Sequence, residues 1–395
     1  MASRLPVSPQ LQVDYYRPMT AGIFTAHSTL PDTASAVRQA VAAIPLESAE
    51  FVLLLHGPGH TGAVLEQALP AAHRQRFFGS STSGEIVPQG YQLETIAAIS
   101  FDRSHFSGVA RKIEGLTSFR FHQARELVLS MQRELRRKVP GANSGNTFAL
   151  LLIDGLSQAE EYVAAALGNE LGSIHLVGGS SGDNWQLQRS PVLCEGAYHD
   201  DSAVVLLVHT SLDFRHYNFH NFKASDKRGV ITAATPARRL VHEINGITAV
   251  REYARLCDLD ADTLDQEILA VHPAIITVGD RAYPRGFMRI LADGSLQCAC
   301  AIDEGVVFRV ATQVDYVEQL RQAFRRMQQD LGGPLMVLGF ECAARRQIVE
   351  QYQLQEAVYR QFEAYNVWGF SCMGEQANSL NMNNSFNCLA FRLHS

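Results

Sequence analysis

The chain has 395 residues, 46% of them hydrophobic and 19% charged, and its net charge is 34 − 40 = −6. This length exceeds one ordinary core and predicts two domains of a globular protein. The acidic balance and scattered basic residues disfavour a nucleic-acid partner, and no run approaches the roughly 20 apolar residues that span a bilayer. The N-terminus lacks a signal-peptide pattern and the cysteines number 7, so we expect reduced thiols and a cytoplasmic location.

Alternating strand and helix patterns predict an α/β first half and an α+β second half. Buried strands and helices of the first half are expected at 51–55, 95–101, 148–153 and 203–208, and at 33–44, 61–69, 118–138 and 159–167. Those of the second half are expected at 275–278, 286–291, 295–301, 305–310, 335–340 and 386–393, and at 316–331 and 345–365. We therefore predict an α/β N-terminal domain (20–227) and an α+β C-terminal domain (228–392), with mixed sheets, flanking helices and close packing between the domains.

Three glycine-rich stretches are near-copies of one another: 79–85, 178–183 and 369–375. The outer two share the pattern G-x-S-x-x-G-E, and the middle one is a residue shorter. A strand that runs into a glycine-rich turn with a hydroxyl and a carboxylate is typical of a pocket rim, and also of a plain tight turn. Three copies favour a duplicated scaffold around a shared site. The candidate pocket residues are Ser81, Thr82, Glu85, Ser180, Asp183 and Glu375.

Two other patterns suggest chemistry less specifically. Gly178-x-Ser180-x-Gly182 matches a nucleophile elbow, but the following residues are a poor helix start, so a serine hydrolase is disfavoured. Cys298 and Cys300 share one face of a strand and suit either a soft metal or a core. The core is favoured because no further ligand pair accompanies them.

The segment 214–222 is the richest in potential iron ligands. His216 and His220 share one face of the predicted strand with Phe214 and Phe222. A flat aromatic cofactor suits such a lining, and neutral histidine is a common iron ligand. A half-buried strand whose histidines bond locally is an equal alternative.

Two arginine pairs are candidates for binding a carboxylate or propionate. Arg285 directly precedes the strand predicted over 286–291, Arg289 lies on it, and Arg345 and Arg346 follow a strand. Guanidinium groups bind carboxylates bidentately. The same side chains are equally suited to bracing the acidic turns, so both roles remain open.

The order of the motifs resembles the FIST family of sensory proteins over about residues 20–392. The N-terminal part of the resemblance rests on Gly79-x-Ser-Thr-x-Gly-Glu85, Leu151-Leu-Ile-Asp-Gly155 and Leu176-Val-Gly-Gly-Ser-x-Gly-Asp183. The C-terminal part rests on Glu243-Ile-Asn-Gly246, Cys342-x-x-Arg-Arg346 and Val367-Trp-Gly-Phe-x-x-x-Gly-Glu-Gln376. Within the family the chain is most similar to the nitric-oxide-sensing haem proteins called NosP.

That resemblance implies a non-enzymatic sensor that binds haem b and nitric oxide. It also implies a partner, either a histidine kinase or a diguanylate cyclase or phosphodiesterase, that is regulated by protein contact. His220 is the expected iron ligand, with His216 nearby and Arg285 or Arg345 on the propionates. The NosP pattern has histidines where this chain has Asn221 and Asn381. The alternative is a haem-free sensor of an amino acid or similar metabolite, held by Ser81, Thr82 and Glu85 and by an arginine. A hydrolase at Ser180 is the third hypothesis, and assembly as a homodimer is left open.

Overall fold

The same succession of elements occurs three times along the chain. Each repeat runs strand, helix, strand, helix, strand, hairpin, strand, and its four main strands pair in the order first, last, second, third. The computed structural model describes residues 17–18, 22–60, 62–278 and 281–393, so the predicted domain start at residue 20 lies outside the described residues. The scaffold expected to be duplicated is in fact triplicated.

The bounds of the three repeats are as follows. The first repeat, preceded by β1 (Arg17–Pro18), has β2 (Ile23–Ser28), α1 (Thr33–Ala42), β3 (Ala49–His56), α2 (Gly62–Ala68), β4 (Phe77–Ser81), β5 (Glu85–Val87), β6 (Gly90–Gln92) and β7 (Ile96–Asp102). The second has β8 (Phe106–Glu114), α3 (Phe121–Lys138), β9 (Thr147–Ile153), α4 (Glu160–Leu171), β10 (His175–Ser180), β11 (Val192–Cys194), β12 (Ala197–His199) and β13 (Ser202–Thr210). The third begins with β14 (Phe214–Phe219) and, after the insert described next, continues beyond residue 313.

An antiparallel sheet interrupts the third repeat directly after its first strand. This insert has β15 (Phe222–Thr235), β16 (Leu240–Ile244), β17 (Ile247–Thr248), α5 (Ala249–Cys257), α6 (Gln266–Val271), β18 (Ala274–Val278), β19 (Arg281–Arg285), β20 (Phe287–Ile290), β21 (Leu296–Cys298) and β22 (Val307–Gln313). The third repeat then resumes with α7 (Tyr316–Leu331), β23 (Leu335–Cys342), α8 (Ala343–Gln351), α9 (Gln355–Ala364), β24 (Val367–Cys372), β25 (Glu375–Ala377), β26 (Leu380–Met382) and β27 (Phe386–Arg392).

Each repeat lends its hairpin to a different repeat. β5–β6 adds to β24 of the third repeat, β25–β26 adds to β10 of the second, and β11–β12 adds to β4 of the first. The exchange is cyclic, so the three repeats form a closed ring, and the term "ring" below means these three repeats. No repeat completes its sheet alone, because each sheet contains a hairpin from another repeat.

The three sheets of the ring share one central core. Phe51, Leu53 and Leu55 on alternate positions of β3 belong to this core, whereas Val52 and Leu54 between them pack under α1 and α2. Period-2 alternation of this kind is what a strand with two buried faces requires. Strands of the second and third repeats also contribute to the central core, and their helices cover the outer faces.

The predicted fold class is confirmed: an α/β N-terminal part and an α+β C-terminal part, with mixed sheets and flanking helices. The helix predicted over 345–365 is broken into α8 and α9, with Gln353 at φ 54° between them. The predicted domain division at 227/228 falls inside β15. In the part of the chain that the structure describes, no helix has both the length and the hydropathy needed to cross a membrane.

One glycine in each ring sheet lies where a borrowed hairpin joins the sheet. Gly79, Gly178 and Gly369 pair with the second strand of their own repeat on one side and with a borrowed hairpin on the other. A Cβ atom at any of them would collide with a backbone carbonyl oxygen of the neighbouring strand. Only glycine allows these strands to approach so closely.

Replacing Gly178 with alanine is therefore expected to lower the free energy of unfolding by at least about 3 kcal/mol, because backbone rather than a side chain must move. Urea unfolding measures this change. Gly141→Ala is the matched control, since a Cβ atom added there would have no neighbour within 4 Å, and it should shift stability by less than about 0.5 kcal/mol. Equal midpoints of urea unfolding for the two variants would contradict the close approach of the backbone at Gly178 to the neighbouring strand.

Candidate functional site

The three glycine-rich turns meet at one end of the ring and bond to one another. Each turn donates a backbone N–H to a carbonyl of another: Ser83 to Ser371 at 2.9 Å, Met373 to Ser180 at 3.2 Å and Gly182 to Ser81 at 3.1 Å. The turns thus form a closed cycle like that of the hairpins. This cycle leaves their polar side chains inside the protein.

The residues predicted to line a pocket are buried at this junction. Ser81, Thr82, Glu85, Ser180, Asp183 and Glu375 are all at most 3% exposed. Glu85 accepts hydrogen bonds from the Thr82 hydroxyl at 2.5 Å and from the Thr95 hydroxyl at 2.6 Å. Glu375 takes the equivalent place in the third repeat, with the Ser385 hydroxyl at 2.7 Å and the Cys372 Sγ at 3.6 Å. These carboxyls brace their own turns.

Burial controls the protonation of both glutamates. It raises the pKa of Glu85 from its ordinary 4.5 to about 7, against the opposing effect of its hydrogen bonds. Burial likewise raises the pKa of Glu375. A buried carboxyl without a cationic partner avoids the desolvation cost of its charge by holding a proton.

Asp183 departs from this pattern and holds a loop instead. Its two carboxylate oxygens accept backbone N–H groups from Leu187 at 2.9 Å, Gln188 at 2.6 Å and Arg189 at 3.1 Å. The loop so fixed has three residues at positive φ: Asn184, Trp185 and Leu187. Left-handed backbone at such residues is strained and is retained where the surroundings enforce it.

A cleft of about 210 Å³ opens beside this loop, between the ring and the insert. On the ring side it is lined by Gly155, Gln158, Glu160, Leu187 and Met373, and on the insert side by Arg239, Gln266, Met288, Arg289, Gln297 and Ala299, among others. Ligand sites are commonly found where two structural units meet. We take this cleft as the candidate functional site.

An ion-pair cluster joins the two sides of the cleft. The Arg239 guanidinium donates to Glu160 at 2.5 Å and to Glu161 at 2.7 Å, and it also donates to the Ala299 carbonyl at 3.0 Å. Arg239 ends a short turn begun by Pro236 and has φ 55°. Burial raises the pKa of Glu160 to about 7, with the Arg239 charge opposing this shift and Glu161 adding to it.

Hydrogen bonds connect this cluster to the second glycine-rich turn. Glu161 accepts from the Asn381 side chain at 3.3 Å. Gln376 Nε2 donates to Asn381 Oδ1 at 2.9 Å and to Ser180 Oγ at 2.8 Å. Ser180 is therefore a buried hydrogen-bond partner, and the structure gives the hydrolase hypothesis no accessible nucleophile at this position.

A smaller apolar cavity of about 30 Å³ adjoins the cleft. It shares Gln266, Met288, Ala299 and Met373 with the cleft and is otherwise lined mainly by apolar and thiol side chains: Ala270, Phe287, Cys342, Ala344 and Cys372. Trp185 and Gln347 also border it, and neither Trp185 Nε1 nor Gln347 Oε1 has a hydrogen-bond partner within the described chain. The combined site therefore has a polar outer part and a narrow apolar inner part.

His216 and His220 lie away from the cleft. His216 Nε2 is 2.7 Å from Asn387 Oδ1, and burial lowers the pKa of His216 to about 4. His220 follows β14, with Nε2 3.1 Å from the Ala282 carbonyl and Nδ1 accepting the Phe222 N–H at 3.3 Å. The predicted alternation is present within β14, since Phe214 contacts the central core whereas Tyr217 and Phe219 pack beneath α7. The strand ends at Phe219, however, and Phe222, which was predicted on the face of Phe214, packs in the same cluster as Tyr217 and Phe219.

These side chains do not fit a haem. Both Nε2 atoms are engaged in hydrogen bonds, and neither histidine lines the clefts described above. Those clefts have volumes of about 210 Å³ and 30 Å³, whereas sites for larger ligands occupy roughly 300–1,000 Å³. Among the described residues, no group of three or more His, Cys, Asp or Glu side chains is arranged to hold a metal.

The predicted arginines have different environments. Arg345 is 1% exposed, donates to Glu341 at 2.9 Å and to Asn221 at 2.7 Å, and lies over the Tyr316 ring at 4.5 Å. It is a fully paired core group. Arg285 donates weakly to the Asn381 carbonyl at 3.4 Å. Arg289 is exposed in the cleft, where it donates to the Gln297 side chain at 2.7 Å.

Sequence reasoning missed most of the cleft. Arg239 has no local signal, because its partners are about 80 positions earlier in the chain. Adjacent carboxylates at the start of a predicted helix, Glu160 and Glu161, were the one available sign. Of the residues singled out for binding an anion, only Arg289 lies in the cleft.

The fold and the cleft together define a two-part ligand-binding protein, in which a ring of three repeats and an insert enclose a small polar site. A FIST N domain model matches residues 50–247, and a FIST C domain model matches residues 249–378. The chain belongs to the FIST family, whose domains are sensory domains that bind small ligands in signalling proteins. No curated protein matches the sequence.

Replacing Glu85 with glutamine is expected to reduce the pH dependence of stability. Because the folded state raises the Glu85 pKa from 4.5 to about 7, the folded chain binds more protons than the unfolded chain between these values. The free energy of unfolding therefore falls as pH rises through this window, by roughly 3 kcal/mol from this group. Urea unfolding of wild type and Glu85→Gln at several pH values measures the difference.

The exposed Glu126→Gln on α3 is the control and should leave the pH profile unchanged. A wild-type profile that runs parallel to that of Glu85→Gln across the window would show that Glu85 does not carry this proton.

Proposed function

We propose that this protein senses a small zwitterionic metabolite, of which an amino acid is the simplest example, bound in the cleft between the ring and the insert. The observation that carries the proposal is the presence of both charges at the cleft. Glu160 lines the cleft and would receive an ammonium group, with Glu161 beside it on Arg239, while Arg289 and Arg239 would receive a carboxylate. The cleft volume suits a metabolite smaller than a drug-sized ligand.

Charge balance supports a ligand that carries an ammonium group. Two carboxylates share the single buried guanidinium of Arg239, and the exposed Arg289 is bonded to the neutral Gln297. An ammonium at Glu160 favours the ionised carboxylate, which burial otherwise disfavours. A carboxylate at Arg289 gains a charge-assisted hydrogen bond that a neutral amide does not provide.

The inner cavity supports a small apolar side chain on that ligand. Its walls are mostly methyl, thioether, thiol and aromatic groups, and its volume of about 30 Å³ admits little more than a methyl-sized group without movement. The charged groups of the metabolite would thus lie at the ion pairs, and its apolar side chain would lie near Met373. This arrangement replaces the expected ammonium site at Ser81, Thr82 and Glu85, whose side chains are already paired with one another or buried.

Haem-based sensing of nitric oxide, with His220 as the ligand, stays a prediction from the resemblance to NosP. So does its partner, a histidine kinase or a diguanylate cyclase or phosphodiesterase. The visible spectrum of the purified protein with added hemin tests it. A Soret band at about one haem per chain that His220→Ala removes would establish this function instead, and its absence would eliminate it.

A thermal-shift screen of the amino acids, followed by calorimetry of the compounds that stabilise the protein, tests the proposed ligand. We expect stabilisation by one or a few amino acids with small apolar side chains. Arg289→Ala should weaken binding at least tenfold, because the carboxylate loses its charged partner. Ala299→Leu should abolish binding, because the added atoms fill the space between the cleft and the inner cavity.

Arg251→Ala is the matched control for these variants, since this arginine is exposed on α5 of the same insert and does not line the cleft. It should bind the metabolite like wild type. A metabolite that binds equally well to Ala299→Leu would locate the site elsewhere and overturn the assignment of the cleft.

A further inference from the structure

The outer side of α3 carries an oblique row of exposed side chains. Phe121, Arg125, Leu129, Arg133 and Arg137 follow one another at intervals of four residues and are all exposed. On a helix this spacing forms one continuous ridge, of the kind that packs into the groove of another helix. We call these five residues the α3 ridge.

Most cations of this helix lack ion-pair partners within the described chain, whereas Lys138 lies 3.9 Å from the Glu50 carboxylate. Arg125, Arg133, Arg136 and Arg137 take part in no ion pair within the described chain, although many other arginines do. The helix has five Lys and Arg residues and two Glu residues, one of which, Glu134, is paired with Arg111. This concentration of positive charge contrasts with the net charge of −6 of the whole chain.

Two large apolar side chains lie within the same row. Phe121 is 45% exposed and Leu129 is 44% exposed. Phe121 is held against the protein by the Tyr162 ring, edge to face with a centroid distance of 4.9 Å. A membrane-binding helix needs a broad apolar face that can enter the lipid, which two half-buried side chains do not form. A site for duplex nucleic acid binds the phosphates through its cations and does not require apolar groups alternating with them.

We propose that the α3 ridge docks an amphipathic helix with acidic flanks, supplied by a partner protein. Leu129 and Phe121 would contact the apolar stripe of that helix. The arginines would pair with its glutamates or aspartates, since guanidinium groups bind carboxylates with two parallel hydrogen bonds. Charge complementarity of this kind sets partner choice and association rate.

The docking surface is physically linked to the cleft. α3 packs on α4, and the Phe121 N–H donates to the Tyr162 hydroxyl at 3.1 Å. Tyr162 directly follows Glu160 and Glu161 in the first turn of α4, where both glutamates bond to Arg239. A metabolite that changes these ion pairs therefore acts on the turn that carries Tyr162. Regulation of docking by a metabolite rests on the proposed function. The docking surface itself does not.

A synthetic peptide tests the surface directly. The probe is a fluorescein-labelled helix with leucine at heptad positions a and d and glutamate at the remaining exposed positions, titrated with the full-length protein by fluorescence anisotropy. We expect saturable binding that weakens as salt is raised. Arg125→Glu, Arg133→Glu and Arg137→Glu combined should weaken it at least tenfold, and Leu129→Ala alone about fivefold.

The matched control reverses three exposed arginines on other helices: Arg38→Glu on α1, Arg251→Glu on α5 and Arg325→Glu on α7. It changes the net charge equally and should bind the peptide within twofold of wild type. Circular dichroism and thermal unfolding verify that each variant is folded, and Leu129→Ala leaves every charge in place.

Four outcomes would overturn the proposal. They are no saturable binding of the peptide, equal weakening in the control variant, equal binding of a peptide of the same composition in scrambled order, and ridge-dependent binding of phosphatidylserine vesicles or duplex DNA that exceeds binding of the peptide. The last would assign the ridge to lipid or to nucleic acid. If docking is confirmed but no metabolite alters it, the surface stands and the proposed sensing mechanism fails.

Discussion

The close approach of backbone to backbone at Gly79, Gly178 and Gly369 is the constraint on which the rest of the structure depends. At each position the strand lies between the second strand of its own repeat and a hairpin from another repeat. No side chain fits there, and the three turns that follow bond to one another in a cycle. The cycle in turn closes the three sheets around one core, whose stability no single repeat supplies.

The cleft arises where this threefold arrangement is broken. In the first and third repeats, a buried glutamate is bonded by hydroxyl groups next to its turn and holds that turn closed. The second turn is one residue shorter, and Asp183 turns outward to bind the backbone of residues 187–189. That loop and the insert of the third repeat line both clefts described above. Neither of these clefts lies at the corresponding loop of the first turn. Asymmetry between near-identical turns thus creates the site.

Local patterns in the sequence predicted the elements well because each buried strand and amphipathic helix is visible within a short window. The equivalence of the three turns was also visible, down to the glutamates. The exchange of hairpins was not, since Ile86 pairs with Gly369 and no short-range pattern encodes a partner so distant along the chain. The predicted pocket residues of the turns are buried at the junction of the three repeats, and most of their side chains are bonded within the protein. The histidines of 214–220 illustrate a further limit, because alternation predicts which face a side chain occupies but not whether space exists beside it.

Arg239 is the group through which a ligand would act on the protein, because it holds the insert to the ring with a buried charge. Breaking a buried ion pair by removing one partner leaves an uncompensated charge and costs about 3–5 kcal/mol. A ligand with a single charge that competes for Arg239 or Glu160 therefore incurs that cost for the group it displaces. A zwitterion presents both charges at once and can replace both partners without leaving either unpaired. A ligand shifts a conformational equilibrium only by its difference in affinity for the two states. Under the proposed function, this exchange of ion pairs would both select the chemistry of the ligand and act on the first turn of α4, which carries Glu160 and Glu161.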